Sequence, residues 1–453
     1  MNISLRRSLF YSTAIAALTL VGGHGAMAQA TTHVLGGGST LAALDYDNEF
    51  SDAGLTGFTY CSIGSGAGTS AFVGDLTTPL TADTTHCPSS IVTNKSVDYG
   101  ASDAYISSTS ITAYNTENTT INAGPLVQLP MLGTPVAIAL NTHLGNKTVT
   151  ADGQVILNDA QLCGILSGSY TSWSQITNSL GSSIPTSGPI NVAYRLDSSG
   201  TSFLTTSHLK AVCPVSSAST PSFTSAQLAA MPTNTFATSL FGGSLPALPA
   251  SFIGGTGSSG VEAAVAGTSN TIGYLSPDYT DISTNGANAG DPFVAAVING
   301  NNHSAYTPTV ANTSAAIGTI TAPTGAAEAS PTNWAPVNVN AALNNPAAGY
   351  PIAGYTYWLL PTCYATAAEA TKVIDFLEAH LNQSGSETTL VDDIESNGFM
   401  PVPGVTDSNK PATGSYAAAI LSVFVTGDTQ HLNIASVGAS GGNATRCTSA
   451  AGR

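Results

Sequence analysis

Four short segments place glycine and small hydroxyl residues directly after apolar runs, in positions where they could hold an anion. They are Gly36-Gly37-Gly38-Ser39-Thr40-Leu41, Gly64-Ser65-Gly66-Ala67-Gly68-Thr69, Gly100-Ala101-Ser102-Asp103 and Arg195-Leu196-Asp197-Ser198-Ser199-Gly200-Thr201. Where such a segment starts a helix, its N–H groups and hydroxyls lie at the helix N-terminus, whose dipole favours negative charge. One such segment alone is ordinary helix capping. Four together, one of them with an arginine, favour an anion-binding site.

Arg195 is the one arginine between Gln29 and Thr445. Arg195 and Asp197 are two residues apart, so in an extended segment both side chains leave the same face and can pair. Such a pair leaves the guanidinium oriented toward a second acceptor, and its planar fork matches a tetrahedral oxyanion. A purely structural salt bridge is the alternative interpretation of the pair.

Each of the four segments follows a strand-like run, and three of them lead directly into a helical pattern. The runs cover residues 33–35, 58–63, 97–99 and 190–194, and the helix after the last one extends to Val212. Alternation of this kind is typical of βα units in a parallel or mixed sheet. The sequence therefore predicts an α/β fold in which the four segments end strands.

The composition excludes several classes of protein. Of 453 residues only 8% are charged, 42% are hydrophobic and 46 are glycine, and the formal net charge is −16. A chain this acidic offers no broad electrostatic footprint for nucleic acid or an anionic membrane, so we expect no nucleic-acid partner. Low charge with a large apolar fraction also argues against disorder. The length allows two or three domains.

Residues 1–28 resemble an export signal. Arg6 and Arg7 supply the positive charge, an apolar run covers Leu9–Val21, and Ala26-Met27-Ala28 offers a cleavage site. The ordinary secretory route is favoured over a twin-arginine route. The first cysteine is Cys61, far beyond the cleavage site, and no later apolar stretch is long enough for a membrane span. We therefore expect a soluble protein in the periplasm.

The four segments, in this order and separation, resemble the periplasmic phosphate-binding protein of the bacterial ABC transporter for phosphate uptake, a type II periplasmic binding protein. The resemblance extends from about Thr32 to about Pro403. Its most specific parts are Asp98–Asp103, which matches the family's Asp-Phe/Tyr-Gly-Ala-Ser-Asp, and Arg195–Phe203, which matches Arg-x-Asp-x-Ser-Gly-Thr-Ser-Phe. The first segment has Leu41 where the family usually has Phe, and the two glycine segments alone would be weak evidence.

The resemblance implies two lobes joined by a two-strand hinge, each lobe a mixed sheet flanked by helices. Lobe I would combine residues 29–136 with 352–453, and lobe II would hold residues 137–351. The departures from the family are an inserted segment around residues 78–95, a longer second lobe rich in Ser, Thr and Ala, and a tail after Pro403. These leave the docking surface and the role of the tail open.

The resemblance also implies a ligand shell when it is carried over residue by residue. The phosphate-binding residues would be Thr40, Leu41, Ser65, Asp103, Arg195, Ser199, Gly200 and Thr201, with Asp197 orienting the arginine. A carboxylate such as Asp103 beside an anion is costly unless the anion carries a proton to donate. Phosphate carries one and sulfate does not, which favours phosphate. The alternative is that Asp103 merely caps a helix.

Six cysteines in an exported chain predict disulfides, with 15 possible full pairings. Sequence order favours local closures, each within one predicted lobe: Cys61 with Cys87, Cys163 with Cys213, and Cys363 with Cys447. A zinc site is the competing interpretation, but the sequence has no Cys-x-x-Cys or His-x-x-x-His spacing and its eight histidines are scattered. We expect no metal site and no cofactor.

The function expected from these observations is capture of inorganic phosphate by a monomer that delivers it to inner-membrane ABC permease subunits, without catalysis. Two alternatives stay open: a secreted phosphatase related to these binding proteins, and an extracellular structural or adhesive protein that retains the fold. The pattern Gly438-Ala439-Ser440-Gly441-Gly442 resembles a nucleophile motif. Only eleven residues follow it and none is Asp or His, so we interpret it as accidental.

Overall fold

A computed structural model describes residues 33–74, 87, 97–148, 155–177, 184–282, 291–438 and 444–453. The predicted export signal, residues 1–28, lies outside the described residues, and so does the inserted segment around residues 78–95 except for Cys87. No helix within the described ranges is long and apolar enough to cross a membrane.

Lobe I, as we use the term from here on, is built on a six-stranded mixed sheet with the strand order β17-β4-β15-β3-β1-β2. Strands β1, β2 and β3 are parallel to one another, and β15 runs antiparallel to β3 and β4. The strands are β1 (Val34–Gly38), β2 (Phe58–Ser62), β3 (Tyr99–Ser102), β4 (Leu126–Pro135), β15 (Ala353–Pro361) and β17 (Met400–Pro401).

Lobe II is built on a five-stranded mixed sheet with the strand order β10-β9-β11-β5-β12. Its strands are β5 (Ala137–Leu140), β9 (Asn191–Arg195), β10 (Phe252–Gly255), β11 (Thr271–Leu275) and β12 (Phe293–Val294). The remaining short strands are β6 (His143–Leu144), β7 (Lys147–Thr148), β8 (Ile156–Leu157), β13 (Ala296–Asn299), β14 (Ser304–Tyr306), β16 (Cys363–Tyr364) and β18 (Ala435–Ser436).

Helices flank both sheets, and several begin with a polar cap. Each cap accepts a hydrogen bond from a backbone N–H of the following turn, which satisfies a donor that the helix leaves free. The caps are Ser107, Asn158, Ser199, Thr224 and Thr366. The α-helices are α1 (Ala43–Asp52), α2 (Ser65–Val73), α3 (Ser108–Ile121), α4 (Asp159–Leu166), α5 (Gly200–Val212), α6 (Ser225–Ala229), α7 (Phe236–Leu240), α8 (Gly257–Gly267), α9 (Val310–Ile317), α10 (Pro336–Val339), α11 (Ala367–His380), α12 (Thr388–Ser396), α13 (Tyr416–Ile420) and α14 (Ala444–Cys447).

The chain passes between the two sheets twice, at neighbouring points. It leaves lobe I where β4 ends at Pro135 and continues into β5, and it returns at Ala353, which pairs with Pro135. The Val136 N–H donates to the Ile352 carbonyl at 2.8 Å, and the Tyr350 hydroxyl donates to the Val136 carbonyl at 2.8 Å. The two lobes are therefore joined by two adjacent strands, the arrangement that allows hinge closure.

Each lobe has its own apolar core. In lobe I the rings of Tyr99, Trp358 and Phe376 stack in succession, with centroid separations of 4.2 and 4.5 Å. In lobe II the side chains of Trp173 and Tyr274 are completely buried. Rings of this size bury 150–250 Å² each, so they fix the position of the strands that end at the cleft.

Two of the predicted strands are longer than the sequence indicated. We expected the first to end at Leu35 and the third at Tyr99, but β1 includes Gly36–Gly38 and β3 includes Gly100–Ser102. In β3 the reason is close packing of α2 on the sheet, because a Cβ on Gly100 would lie 2.8 Å from the Phe72 Cβ. In β1 the neighbouring strand β3 is too close, because a Cβ on Gly36 would lie 2.3 Å from the Tyr99 ring and a Cβ on Gly38 would lie 1.9 Å from the Ala101 carbonyl oxygen. Glycine marks a close approach of packed elements here, and not the end of the strand.

The structure joins the three cysteine pairs that sequence order favoured. Cys61 is bonded to Cys87, Cys163 to Cys213, and Cys363 to Cys447. The third disulfide ties the segment after Pro403 to lobe I, and β18 of that segment pairs with β16. Described residues of the tail that the family resemblance left unexplained, among them Tyr416 and Ile434, are thus packed into the core of lobe I.

Candidate functional site

Arg195 lies at the end of β9, and its guanidinium is buried against Asp197. The two form a bidentate pair, with Nε–Oδ1 at 2.8 Å and Nη2–Oδ2 at 2.5 Å. The Gly257 N–H also donates to Asp197 Oδ1 at 3.0 Å. Because this pairing occupies one edge of the guanidinium, the Nη1 edge faces the Thr201 hydroxyl at 3.4 Å and is oriented toward the start of α5.

The pKa of Asp197 follows from this pairing. Burial alone would raise it, but the hydrogen bonds and charge of Arg195 and the N–H of Gly257 outweigh burial and hold the pKa below its usual value. Asp197 is therefore ionised at neutral pH, and the structure shows the pairing with Arg195 that the sequence predicted.

The N-terminus of α5 supplies neutral donors beside the arginine. Ser199 caps the helix by accepting from the Ser202 N–H at 3.2 Å, and Gly200 and Thr201 form the first turn. Ser199 and Thr201 are both almost fully buried. Of the hydroxyls predicted to bind the anion, that of Ser199 is thus already engaged in capping, whereas the first-turn N–H groups remain the donors that a helix start offers an anion.

Asp103 follows β3 and faces the start of α5 from the other lobe. Its Oδ2 accepts from the Ser65 hydroxyl at 3.3 Å, and the Asp103 N–H donates to Ser65 Oγ at 3.2 Å. A Cβ on Gly200 would lie 2.5 Å from both Asp103 and Ser65, so only glycine allows the lobes this close. The second carboxylate oxygen, Oδ1, is buried and has no hydrogen-bond partner.

The electrostatic balance at Asp103 differs from that at Asp197. Burial raises the pKa of Asp103 to about 6, and the hydroxyls of Ser39 and Ser65 and the charge of Arg195 lower it only in part. A buried carboxylate oxygen without a hydrogen-bond partner is unusual, because buried polar atoms are normally paired. The pairing would be completed by a ligand atom that donates a proton to Oδ1.

The first segment contacts lobe II. Thr40 Oγ1 accepts from the Ser258 N–H at 3.1 Å, and the Ser258 hydroxyl lies 3.1 Å from both the hydroxyl and the carbonyl oxygen of Thr40. The Ser276 hydroxyl lies 2.9 Å from the Leu41 carbonyl oxygen. In this structure the hydroxyl and carbonyl of Thr40 and the carbonyl of Leu41 therefore form contacts between the lobes.

The lobes also meet at the second and fourth segments. The Gly66 N–H donates to the Ser198 carbonyl at 3.0 Å, and a Cβ on Gly66 would lie 1.9 Å from the Ser198 hydroxyl. Beside this contact the rings of Tyr105 and Phe203 meet edge to face at 5.3 Å. A cavity of about 290 Å³ opens next to them and is lined by both lobes, including Ser102 and Asn234.

The structure thus brings the predicted shell into one place through a continuous set of contacts. Arg195 contacts Asp197 and Thr201. Asp103 contacts Ser65 and lies close to Gly200. Thr40 accepts a hydrogen bond from Ser258, the residue after Gly257. Sequence reasoning missed three residues that hold these elements: Ser258, Ser276 and Tyr274, whose hydroxyl accepts from the Arg195 N–H at 3.2 Å. The signal for Ser258 was present, because Gly254-Gly255-Thr256-Gly257-Ser258 is a fifth strand-to-helix turn of the same kind.

The arrangement can bind an anion, and the two buried histidines of the described residues are occupied by the protein's own groups. Among the described residues no group of three or more His, Cys, Asp or Glu could hold a metal ion. The two buried histidines use both ring nitrogens: His208 on Asp159 and the Asn344 carbonyl, and His380 on Glu49 and the Met131 carbonyl. A histidine engaged in this way has no nitrogen left for a proton transfer to a substrate.

Comparison with known proteins agrees with this architecture. Residues 23–379 match the family model described as a PBP superfamily domain. The chain is 33% identical over 402 residues to alkaline phosphatase L of Pseudomonas aeruginosa, which covers 88% of this chain and 90% of that protein. It is 33% identical over 383 residues to a phosphate-binding protein of an unknown prokaryotic organism, with 81% and 90% covered.

Solved structures show the same likeness. A high-affinity periplasmic phosphate-binding protein, solved with bound phosphate, superposes with a TM-score of 0.69 at 32% identity and covers 93% of this chain and 99% of its own. The phosphate-binding protein of Stenotrophomonas maltophilia gives a TM-score of 0.67 at 30% identity, with the same coverage. With its two sheets, its two-strand crossing and these relatives, the chain belongs to the PBP superfamily, in the group that contains proteins named phosphate-binding protein and alkaline phosphatase L.

Proposed function

We propose that this protein captures inorganic phosphate in the cleft between its lobes. The observation that carries the proposal is the combination of donors and one acceptor at the cleft. Arg195 and the N-terminus of α5 present donors, and Asp103 presents a buried carboxylate oxygen without a partner. An oxyanion that bears a proton satisfies both kinds of group, and monohydrogen phosphate is such an ion.

The names of the relatives support the same ligand. Two structures at 32% and 30% identity that cover 93% of the chain are phosphate-binding proteins, and one of them holds phosphate. Delivery to ABC permease subunits is the role that the family resemblance implies for such a protein. A periplasmic location is consistent with three disulfides, which persist in oxidising compartments.

A phosphatase is the second candidate, because relatives of this chain carry the name alkaline phosphatase L. Against it stand the occupied buried histidines and the charge state of Asp197, whose carboxylate is committed to Arg195 and Gly257. These observations support the proposal of binding over that of catalysis. Residues 439–442 of the Gly-x-Ser-x-Gly pattern, all but its first glycine, lie outside the described residues.

Titration calorimetry with inorganic phosphate and a phosphatase assay on a chromogenic ester test the proposal together. Tight binding without turnover supports capture, and turnover supports the enzyme. If neither binding nor turnover is observed, the result supports a structural role.

The variant that tests the choice of phosphate over sulfate is Asp103→Asn, whose amide donates a hydrogen bond where the carboxylate accepts one. It should admit sulfate in competition with labelled phosphate, because a site that demands a donor rejects ligands without one by several kcal/mol. Unchanged discrimination would reduce Asp103 to a helix-capping residue.

A further inference from the structure

The Ser276 hydroxyl lies between two acceptors that belong to different lobes. It is 2.9 Å from the carbonyl oxygen of Leu41 in lobe I, and it also makes a short contact to Oδ1 of Asp278 in its own lobe. Ser276 follows β11 directly, and Asp278 lies in the 3-10 turn Pro277–Tyr279. Both side chains are buried, Ser276 completely.

A serine hydroxyl has one hydrogen, so it can donate to only one of these two acceptors at a time. If Asp278 is ionised, its carboxylate is the stronger acceptor and takes the hydrogen. The Leu41 carbonyl then has no donor from Ser276. If Asp278 carries a proton, its own O–H can donate to Ser276 Oγ, and the Ser276 hydrogen is free for Leu41. The contact between the lobes is therefore complete only when Asp278 is protonated.

The surroundings of Asp278 favour the protonated form. Its Oδ2 is buried without a hydrogen-bond partner. The charged groups that act on it are carboxylates from each neighbouring element: Asp45 of α1, Asp103 after β3 and Glu262 of α8. Beyond Asp45 lie Glu49, His380 and Asp393, and burial lowers the pKa of His380 so that it is neutral at neutral pH. Burial, and then the charge of Asp45, raise the pKa of Asp278 well above its usual value.

We propose that Asp278 and Ser276 form a proton-dependent latch between the lobes. Protonated Asp278 directs the Ser276 hydroxyl to the Leu41 carbonyl and holds the cleft closed, and ionisation of Asp278 turns that hydroxyl away. Asp278 is a positioning residue in this role, because it acts through the Ser276 hydroxyl on the carbonyl oxygen of Leu41.

The latch predicts that the closed form is favoured at acidic pH and weakened as pH rises. The matched variants are Asp278→Asn, whose amide donates to Ser276 at every pH, and Ser276→Ala, which has no hydroxyl. Ser276→Thr keeps the hydroxyl and should behave like the wild type. Glu262→Gln is the control, since it removes a neighbouring carboxylate for which no bond to Ser276 is found. It should keep the pH-dependent change and move it to lower pH, because the charge of Glu262 raises the pKa of Asp278.

The first readout is small-angle scattering of the ligand-free protein between pH 5 and pH 9, which does not depend on the proposed function. The radius of gyration of the wild type should increase with pH, whereas that of Asp278→Asn should stay at its acidic value. Ser276→Ala should show the open value at both ends of the range. A wild-type radius that does not change, or an Asp278→Asn variant that opens like the wild type, would overturn the latch.

The second readout is the dissociation rate of labelled phosphate, which rests on the proposed function. At pH 9 the wild type should release phosphate roughly fivefold faster than Asp278→Asn, the factor that the net free energy of one hydrogen bond gives, and at pH 5 the two should agree. Equal rates at both pH values would also overturn the latch. If the wild type binds no phosphate at any pH, the proposed function fails and the scattering series still decides the latch.

Discussion

Replacing Asp103 with Asn should make the ligand-free protein more stable at neutral pH, although Asp103 belongs to the candidate site. Burial raises the pKa of this carboxyl from 3.8 to about 6. A pKa difference of this size between the unfolded and folded states lowers the free energy of unfolding by about 3 kcal/mol at a pH where the carboxyl is fully ionised. The folded protein binds the proton more tightly than the unfolded chain, so this cost is absent below 3.8, grows as pH rises through 6, and is constant above it.

Asp197→Asn is the matched control, because it alters a carboxyl in the same site whose pKa is shifted in the opposite direction. The stabilisation from Asp197 is present above the pKa of the unfolded chain and is lost as pH falls through the lower folded value. At pH 8 this variant should lose about 2 kcal/mol, the order expected for hydrogen bonds to a charged group. The two amide variants should therefore move in opposite directions.

Denaturant titration of the wild type and both variants at pH 4 and pH 8, without phosphate, measures these differences. At pH 8 the free energy of unfolding should be about 3 kcal/mol higher for Asp103→Asn than for the wild type, and at pH 4 the two should nearly agree. An Asp103→Asn variant that is no more stable than the wild type at pH 8 would show that this carboxylate is not strained in the ligand-free cleft.

Two further predictions concern the ligand. Arg195→Ala leaves Asp103 and Asp197 without their cation, so phosphate affinity measured by calorimetry should fall by about 2 to 5 kcal/mol, the range for truncating a buried charge pair; parental affinity in this variant would refute the site. Phosphate should also draw the lobes together about the crossing at Pro135 and Ala353, so scattering at a fixed pH should give a smaller radius of gyration with phosphate than without it. An unchanged radius at saturating phosphate would argue for a site within one lobe.

Much of the fold and of the shell could be predicted because the information is local. Arg195 and Asp197 are two residues apart in an extended segment, so their pairing follows from strand periodicity alone. The helix after Ser199 begins and ends where its cap and its apolar pattern indicate, at Gly200 and Val212. Local signals of this kind survive folding because they concern neighbours in the chain.

Contacts between the lobes could not be predicted in the same way. Ser258 lies 218 residues from Thr40, and Ser276 lies 235 residues from Leu41, and no spacing in the sequence connects them. The glycines of β1 and β3 stand in segments with the composition of a turn, and such a composition predicts a loop. Their actual causes, the packing of α2 on Gly100 and the close approach of β3 to Gly36 and Gly38, are tertiary and leave no periodic pattern.

The neutralised arginine has a kinetic consequence. Asp197 cancels the charge of Arg195, and Asp103 adds a negative charge above its pKa, so the cleft carries no net positive charge to attract an anion, within a molecule whose formal charge is −16. Phosphate must therefore approach against the long-range field and is held only by short-range donors. Dissolved salt screens that repulsion over about 10 Å at 0.1 M, so the association rate should increase with ionic strength, the reverse of what an electrostatically steered anion receptor shows.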